Sequence, residues 1–305
     1  MRTIKLLLGI LIAITTLNSC VVRNDNFISA EEVVSGYDLW YVDIHNRGGN
    51  TEIPYLSSAF TVSFLNGRLY ANNNIVDIGR TGNGLGIQVG SYQTFDDGVL
   101  ETFHNIDGNH AFEIDVLSNN EIRIYDINSD ASYLLVGYNR NDFDYDRLFY
   151  ENIEFFLQEY VAWERIGTRN GAPNPFDAEH FLQFTPENVT TFYSSHDDFG
   201  TNVDFINWDY VGSYTVSDIT GFNDLKFLTL NYDGGDIEEF ELSVVNDGTV
   251  DLFHVSTGTT YTFSGRSFIQ LLKSKSGKTA KDVVRNNGRK RTKIKRKEIT
   301  RKVLK

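Results

Sequence analysis

The chain has 305 residues and a net charge of −13, with 22 Phe and 16 Tyr but only four Pro, one Met and one Cys. One cysteine excludes a disulfide-held scaffold, the length allows one large domain or two ordinary ones, and abundant aromatics with sparse proline favour strands. Charge is unevenly spread: residues 273–305 hold 15 Lys/Arg against two Asp/Glu, which leaves residues 20–272 at −28, so an acidic body carries a basic tail.

Arg2 and Lys5 precede an apolar run from Leu6 to Leu17. At about twelve residues it is too short to cross a ~30 Å hydrocarbon core and suits the apolar region of a secretory signal. The run ends in Leu17-Asn18-Ser19-Cys20, which resembles the lipobox of bacterial lipoproteins. That resemblance implies a signal peptide over 1–19, palmitate-type acylation of Cys20 as the new N-terminus, and a lipidated linker over 20–28. Val21 in place of an aspartate implies the outer membrane, on its periplasmic face or at the cell surface. The other readings of Cys20 are a cleaved signal with a chance cysteine and a buried free thiol. No later segment is apolar enough to span a bilayer.

The region 29–140 reads as a first β domain. Ser29-Ala30-Glu31-Glu32 is a capping box, and Gly36 can end the short helix it starts. Eight strands follow near 38–45, 58–65, 67–72, 84–92, 98–104, 109–117, 120–126 and 132–138, separated by turn signals such as Asn66-Gly67 and Asp107-Gly108. Residues 141–158 read as a linker helix with one apolar face, Phe149, Ile153, Phe156 and Leu157, and Asp142, Asp144 and Asp146 suit its positive end. The region 159–268 repeats the pattern near 160–166, 179–185, 188–194, 209–217, 225–232, 236–245, 248–255 and 258–264.

The two regions are copies. Phe112, Ile114 and Val116 fall on Phe240, Leu242 and Val244, and Ile122 and Ile124 on Val250 and Leu252, each at an offset of 128. The phase survives the intervening turn, so both hairpins send the same positions inward. Gly90-Ser91-Tyr92 recurs as Gly212-Ser213-Tyr214, Trp40 as Trp163, and Arg47 before Pro54 as Arg169 before Pro175. A helix, a strand with an early tryptophan and seven further short strands resemble the lipocalin-like domains of bacterial lipoproteins, with Asp38-Leu39-Trp40 and Val161-Ala162-Trp163 standing where that family has Gly-x-Trp. The resemblance implies two tandem eight-stranded antiparallel barrels, each with a structural tryptophan at its closed end.

Chemistry-bearing motifs are few. His45, His104, His110, His180, His196 and His254 form no zinc-site spacing; only His104 and His110 are near in sequence, and they read as an ordinary surface pair, the other reading being opposition on a hairpin that would let them share a metal. Asp142-Phe-Asp144-Tyr-Asp146 has Arg147 and Ile153 where an EF-hand needs Gly and a bidentate Glu, leaving a casual Ca²⁺ site with Glu151 or a solvated helix start. Gly79–Gly86 lacks the Lys and the helix of a phosphate cradle and reads as a flexible rim loop, a place for ligand contacts. No catalytic arrangement stands out, so an enzyme is not expected, nor is a cofactor. The tail, 269–305, has no aromatic side chain with which to stack on bases, and no nucleic-acid partner is expected. Its 273–305 segment is left to contact anionic lipid, to fold onto the acidic body, or to stay solvated. The leading expectation is a membrane-anchored lipoprotein binding a small or amphipathic ligand in its barrels; the alternative is a surface interaction or assembly protein with solidly filled barrels.

Overall fold

The structure, a computed structural model, describes residues 29–185, 190–270, 291 and 293–301. The signal peptide, Cys20, the start of the strand expected at 188–194, and tail residues 271–290, 292 and 302–305 lie outside the described residues.

The polypeptide forms two closed barrels in tandem, each of eight antiparallel strands in sequence order. The first runs through β1 (Leu39–Gly49), β2 (Thr61–Leu65), β3 (Arg68–Asn72), β4 (Ile87–Thr94), β5 (Val99–His104), β6 (Gly108–Val116), β7 (Glu121–Asp126) and β8 (Ala131–Tyr138), and closes by pairing β8 with β1. The second runs through β9 (Tyr160–Arg169), β10 (Phe181–Phe184), β11 (Thr191–Ser195), β12 (Tyr210–Ile219), β13 (Phe222–Tyr232), β14 (Ile237–Asn246), β15 (Thr249–His254) and β16 (Thr260–Phe268), closing through β9–β16. A two-residue strand, β17 (Glu298–Ile299), adds to β12 in parallel. Closure pairs most of the edges that two open sheets would leave free.

Strand alternation sets what lies inside. Ile122 and Ile124 of β7 and Val250 and Leu252 of β15 are buried at the positions the repeat assigns them, and Phe112 and Phe240 are each fully buried in their barrels. One repeat pair diverges: Val116 is 55% exposed while Val244 is partly buried. Over Val244 lies the linker, whose Tyr150 hydroxyl accepts the Val244 N–H at 2.6 Å.

A helix closes one end of each barrel. α1 (Ala30–Val34) has the expected capping box: Ser29 and Glu32 satisfy each other's backbone N–H groups. The Trp40 indole donates 2.8 Å to the carbonyl of Val34, the last residue of α1. Trp163 does the same, at 2.8 Å, to Leu157. Both tryptophans are buried, so the expected structural role holds.

The linker differs from the single amphipathic helix expected. It comprises α3 (Tyr145–Glu151), capped by Asp144, and α4 (Ile153–Leu157), with a break at Asn152 where φ is −123° and ψ 36°. All five residues of α4 are buried. The helix lies between two bodies, so two faces need apolar side chains: Phe155 packs edge-on against Phe60 of the first barrel and Phe156 against Trp163 of the second. This also explains why β1 and β9 each begin with six buried residues in a row: their outward positions are covered as well. One apolar cluster therefore runs from Leu39, Tyr41 and Phe60 through the linker into the interior of the second barrel.

Candidate functional site

The mouths, opposite the tryptophan ends, gather the polar groups, and each is plugged. Over the first, α2 (Pro54–Ser58) inserts Tyr55 and Leu56. The Tyr133 hydroxyl accepts the Ile53 N–H at 2.8 Å, the Tyr55 hydroxyl meets Thr102 Oγ1 at 3.0 Å, and the Tyr55 ring stacks on His104 with centroids 4.7 Å apart. Over the second, a 3-10 turn, Pro175–Ala178, buries Phe176 completely against Phe240 and Tyr261. The Tyr261 hydroxyl donates to Asp177 at 2.7 Å, and the buried Arg165 guanidinium donates to the Phe176 and Asp177 carbonyls. Tyr133 and Tyr261 are again 128 apart. Burial and the Asp177 carboxylate push the Tyr261 phenol up to about 12, so it remains a donor at neutral pH.

Beside each plug sits an imidazole–carboxylate pair with the partners exchanged between copies. His110 Nδ1 lies 2.9 Å from Asp126, and His254 Nε2 lies 2.6 Å from Glu238. Position 110 corresponds to 238 and 126 to 254, so the imidazole has moved to the opposite strand while the pair has persisted. His104 and His110 are not opposed on their hairpin: His110 stands opposite Thr102, His104 stands opposite Gly108 and contacts Asp107, and burial holds the His104 imidazole below its ordinary value. Also in the second mouth, Tyr232 donates 2.7 Å to Glu179. Burial raises the Glu179 carboxyl above the usual range, against hydrogen bonds that favour its charged form.

The other sequence candidates have structural occupations. Asp144 caps α3 by accepting the Arg147 N–H, and Glu151 pairs with Arg147 and accepts the Tyr41 hydroxyl. No group of three or more metal-ligating side chains occurs among the described residues. The glycine-rich loop serves as a clamp between barrels: Arg80 reaches Asp247, and the preceding Ile75 and Val76 donate their N–H groups to the buried Glu159 carboxylate at 2.9 and 2.8 Å. Gly86 is obligatory there, since a Cβ would stand 2.3 Å from the Ala71 carbonyl oxygen at a φ of +89°. A shallow cleft of about 270 Å³ opens beside the second plug, lined by Arg165, Thr168, Asp177, Thr259 and residues 170–173.

The described part of the tail lies on the acidic body, the second of the three dispositions considered above. Arg291 is buried where the first barrel meets the linker, donating to the Val42 and Ala59 carbonyls and to Asn152 Oδ1. Burial lowers its guanidinium from the ordinary range, opposed by Tyr41, Asp43 and Glu151. Arg296 binds Glu154 through two hydrogen bonds, and Arg301 binds Glu241 the same way at 2.7 Å each. Sequence reasoning found the charge complementarity; the three anchoring arginines and the plug tyrosines escaped it, although the repetition of Tyr133 at Tyr261 was a usable signal.

The fold and its plugged mouths define a tandem up-and-down β-barrel protein, consistent with a lipocalin-like architecture. A scan of protein-family models matches none, and a search of curated proteins finds no significant match.

Proposed function

We propose that this chain is a non-enzymatic interaction protein of the bacterial cell envelope, tethered through lipid on Cys20, whose filled barrels act as a rigid scaffold that presents an outer surface. The observation that carries this reading is the filling of both interiors. Trp40, Tyr133 and Phe112 in one barrel, and Trp163, Tyr261 and Phe240 in the other, are at most 1% exposed, and both mouths are plugged. Binding a small or amphipathic ligand inside would require α2 or the 175–178 turn to leave, exposing Leu56 or Phe176 at a cost of about 1.5–3 kcal/mol per side chain. A second reading, favoured by the cleft beside Arg165, is a small polar ligand at the rim of the second barrel. Contact of tail residues 273–305 with anionic lipid is also compatible, through exposed Lys295 and Lys297.

Native mass spectrometry of protein extracted gently from membranes tests the scaffold. The expected spectrum shows the acylated polypeptide without any bound apolar or amphipathic small molecule, whereas a stoichiometric adduct of such a molecule overturns the filled-barrel reading. Labelling with radioactive palmitate tests the tether: incorporation into the parent chain and none into Cys20→Ala is expected, and equal labelling of both removes the anchor.

A further inference from the structure

We propose that the seam holding the tail is a receptor groove for an extended arginine-rich segment, and that between neighbouring molecules it is filled by the tail of a second copy. This rests on the interaction-protein reading and names the partner.

The groove has three arginine sockets, filled by residues 291, 296 and 301, five residues apart in the chain. The first is a cluster of acceptors, Val42 O, Ala59 O and Asn152 Oδ1, floored by the Phe60 ring 4.3 Å from the guanidinium carbon. The second is the Glu154 carboxylate with the Glu151 carbonyl, and there Arg296 and Glu154 are 6% and 8% exposed. The third is Glu241, with the Phe222 ring 5.0 Å beneath Arg301. Planar, two-bond pairing with a carboxylate and stacking on a ring are properties of arginine that lysine lacks. The groove thus reads side-chain type as well as charge.

Main-chain recognition accompanies the sockets. β11 pairs with β12 only as far as Ser213, leaving the edge of β12 beyond it to another strand. β17 takes that edge at Asp218 and Ile219: the Asp218 and Thr220 N–H groups donate to the Lys297 and Ile299 carbonyls at 2.9 Å each, and Ile299 packs against a cluster of Ile219, Phe227 and Val255. This is strand addition to an edge, with arginine sockets supplying specificity.

A second copy is the occupant the chemistry selects. Its tail carries the same three arginines and the same Glu298–Ile299 strand, and each −28 body offers the same sockets. Twenty residues, 271–290, separate the barrel from the docked segment, enough to reach up to about 70 Å when extended. A segment docked through three side chains and a two-residue ladder can exchange as a unit, and the balance between its own groove and a neighbour's is set by effective concentration. Tethering to a membrane raises the neighbour's share.

Fluorescence anisotropy with a labelled peptide of residues 289–303, in physiological salt, tests the groove. The partners are the full chain, the full chain with Arg291→Ala, Arg296→Ala and Arg301→Ala, and that variant with Glu154→Gln and Glu241→Gln added. The peptide is expected to bind the triple-alanine chain at least about tenfold more tightly than the parent, whose own tail competes. Adding the two glutamines is expected to reverse that gain, and a peptide lacking the three arginines is expected not to bind. Equal binding to all three chains, or equal binding of the arginine-free peptide, overturns the proposal. Should the triple-alanine chain not fold, the parent decides. Mixed donor- and acceptor-labelled parent chains on vesicles of neutral lipid are expected to transfer energy, and Glu154→Gln with Glu241→Gln is expected to abolish the transfer. No transfer at any density overturns exchange between copies. An adduct in the native mass spectrum would sink the filled-scaffold reading while leaving this titration unchanged, so the two can fail separately.

Discussion

A tryptophan, a tyrosine and a glycine do the same work in each copy. Trp40 and Trp163 donate to the last carbonyl of the preceding helix, and Tyr37 and Tyr160 stack edge-on against them at 5.3 and 4.9 Å. Each tyrosine hydroxyl then donates to a turn carbonyl, Asn119 or Asp247, both at 3.0 Å. Gly137 and Gly265 lie under those rings, where a Cβ would come within 2.3 and 2.4 Å of ring carbon. Trp163→Phe keeps most of the apolar volume but leaves the Leu157 carbonyl unpaired, and urea unfolding should show a loss of about 1–3 kcal/mol; Trp163→Ala should cost about 3–5 kcal/mol. The same pair of values is expected at Trp40. Glu179 sets a pH dependence. Its folded-state pKa is raised by burial, so the folded protein holds that proton more tightly than the unfolded chain. Its favourable contribution is complete below the unfolded carboxyl value and is lost as pH rises through the raised one. Glu179→Gln should flatten that part of the stability profile when urea midpoints are followed upward from pH 4.5; an unchanged slope would refute the assignment.

At the scale of elements, the hairpins and turns were legible because period-two alternation and Asn/Gly turn chemistry are local properties of the chain. Strand ends shifted by a few residues: β1 runs on to Gly49 and β16 to Phe268, beyond the ends expected at 45 and 264, because pairing with the closing neighbour extends them. The expected apolar face of the linker, Phe149, Ile153, Phe156 and Leu157, is buried; its second face was not legible because it is needed only once the other barrel is present. The plugs were hidden for a related reason: nothing local in Pro54-Tyr55-Leu56 says that the segment folds over a barrel mouth. The exchanged imidazole–carboxylate pairs offer a direct test of equivalence between the copies. Glu238→His alone sets two imidazoles face to face, His254→Asp alone two carboxylates, and both should destabilise. Together they recreate the His110–Asp126 arrangement and should recover stability, with a coupling of about 0.5–3 kcal/mol in a double-mutant cycle. Strict additivity would mean that the two mouths are not equivalent environments.

At the scale of the whole molecule, the copies are joined rather than strung together. The buried linker, the Glu159 carboxylate held by the Asn74 side-chain amide and the Ile75 and Val76 backbone N–H groups, and Arg291 wedged against the first barrel all tie one copy to the other. The linker's apolar face apart, these ties were not visible in the sequence, since the Glu159 and Arg291 contacts join residues 80 or more positions apart. What the sequence did carry at this scale was the duplication, through side chains that kept their inward phase, and the opposition of an acidic body to a basic tail. Tandem domains that merely adjoin unfold separately, whereas one continuous apolar cluster through the linker and the second barrel couples their unfolding. Differential scanning calorimetry of the mature chain measures that coupling. The account predicts one transition whose calorimetric and van't Hoff enthalpies agree, moved as a whole to lower temperature by Phe112→Ala and equally as a whole by Phe240→Ala. Two resolved transitions, each moved by only one of those substitutions, would contradict it.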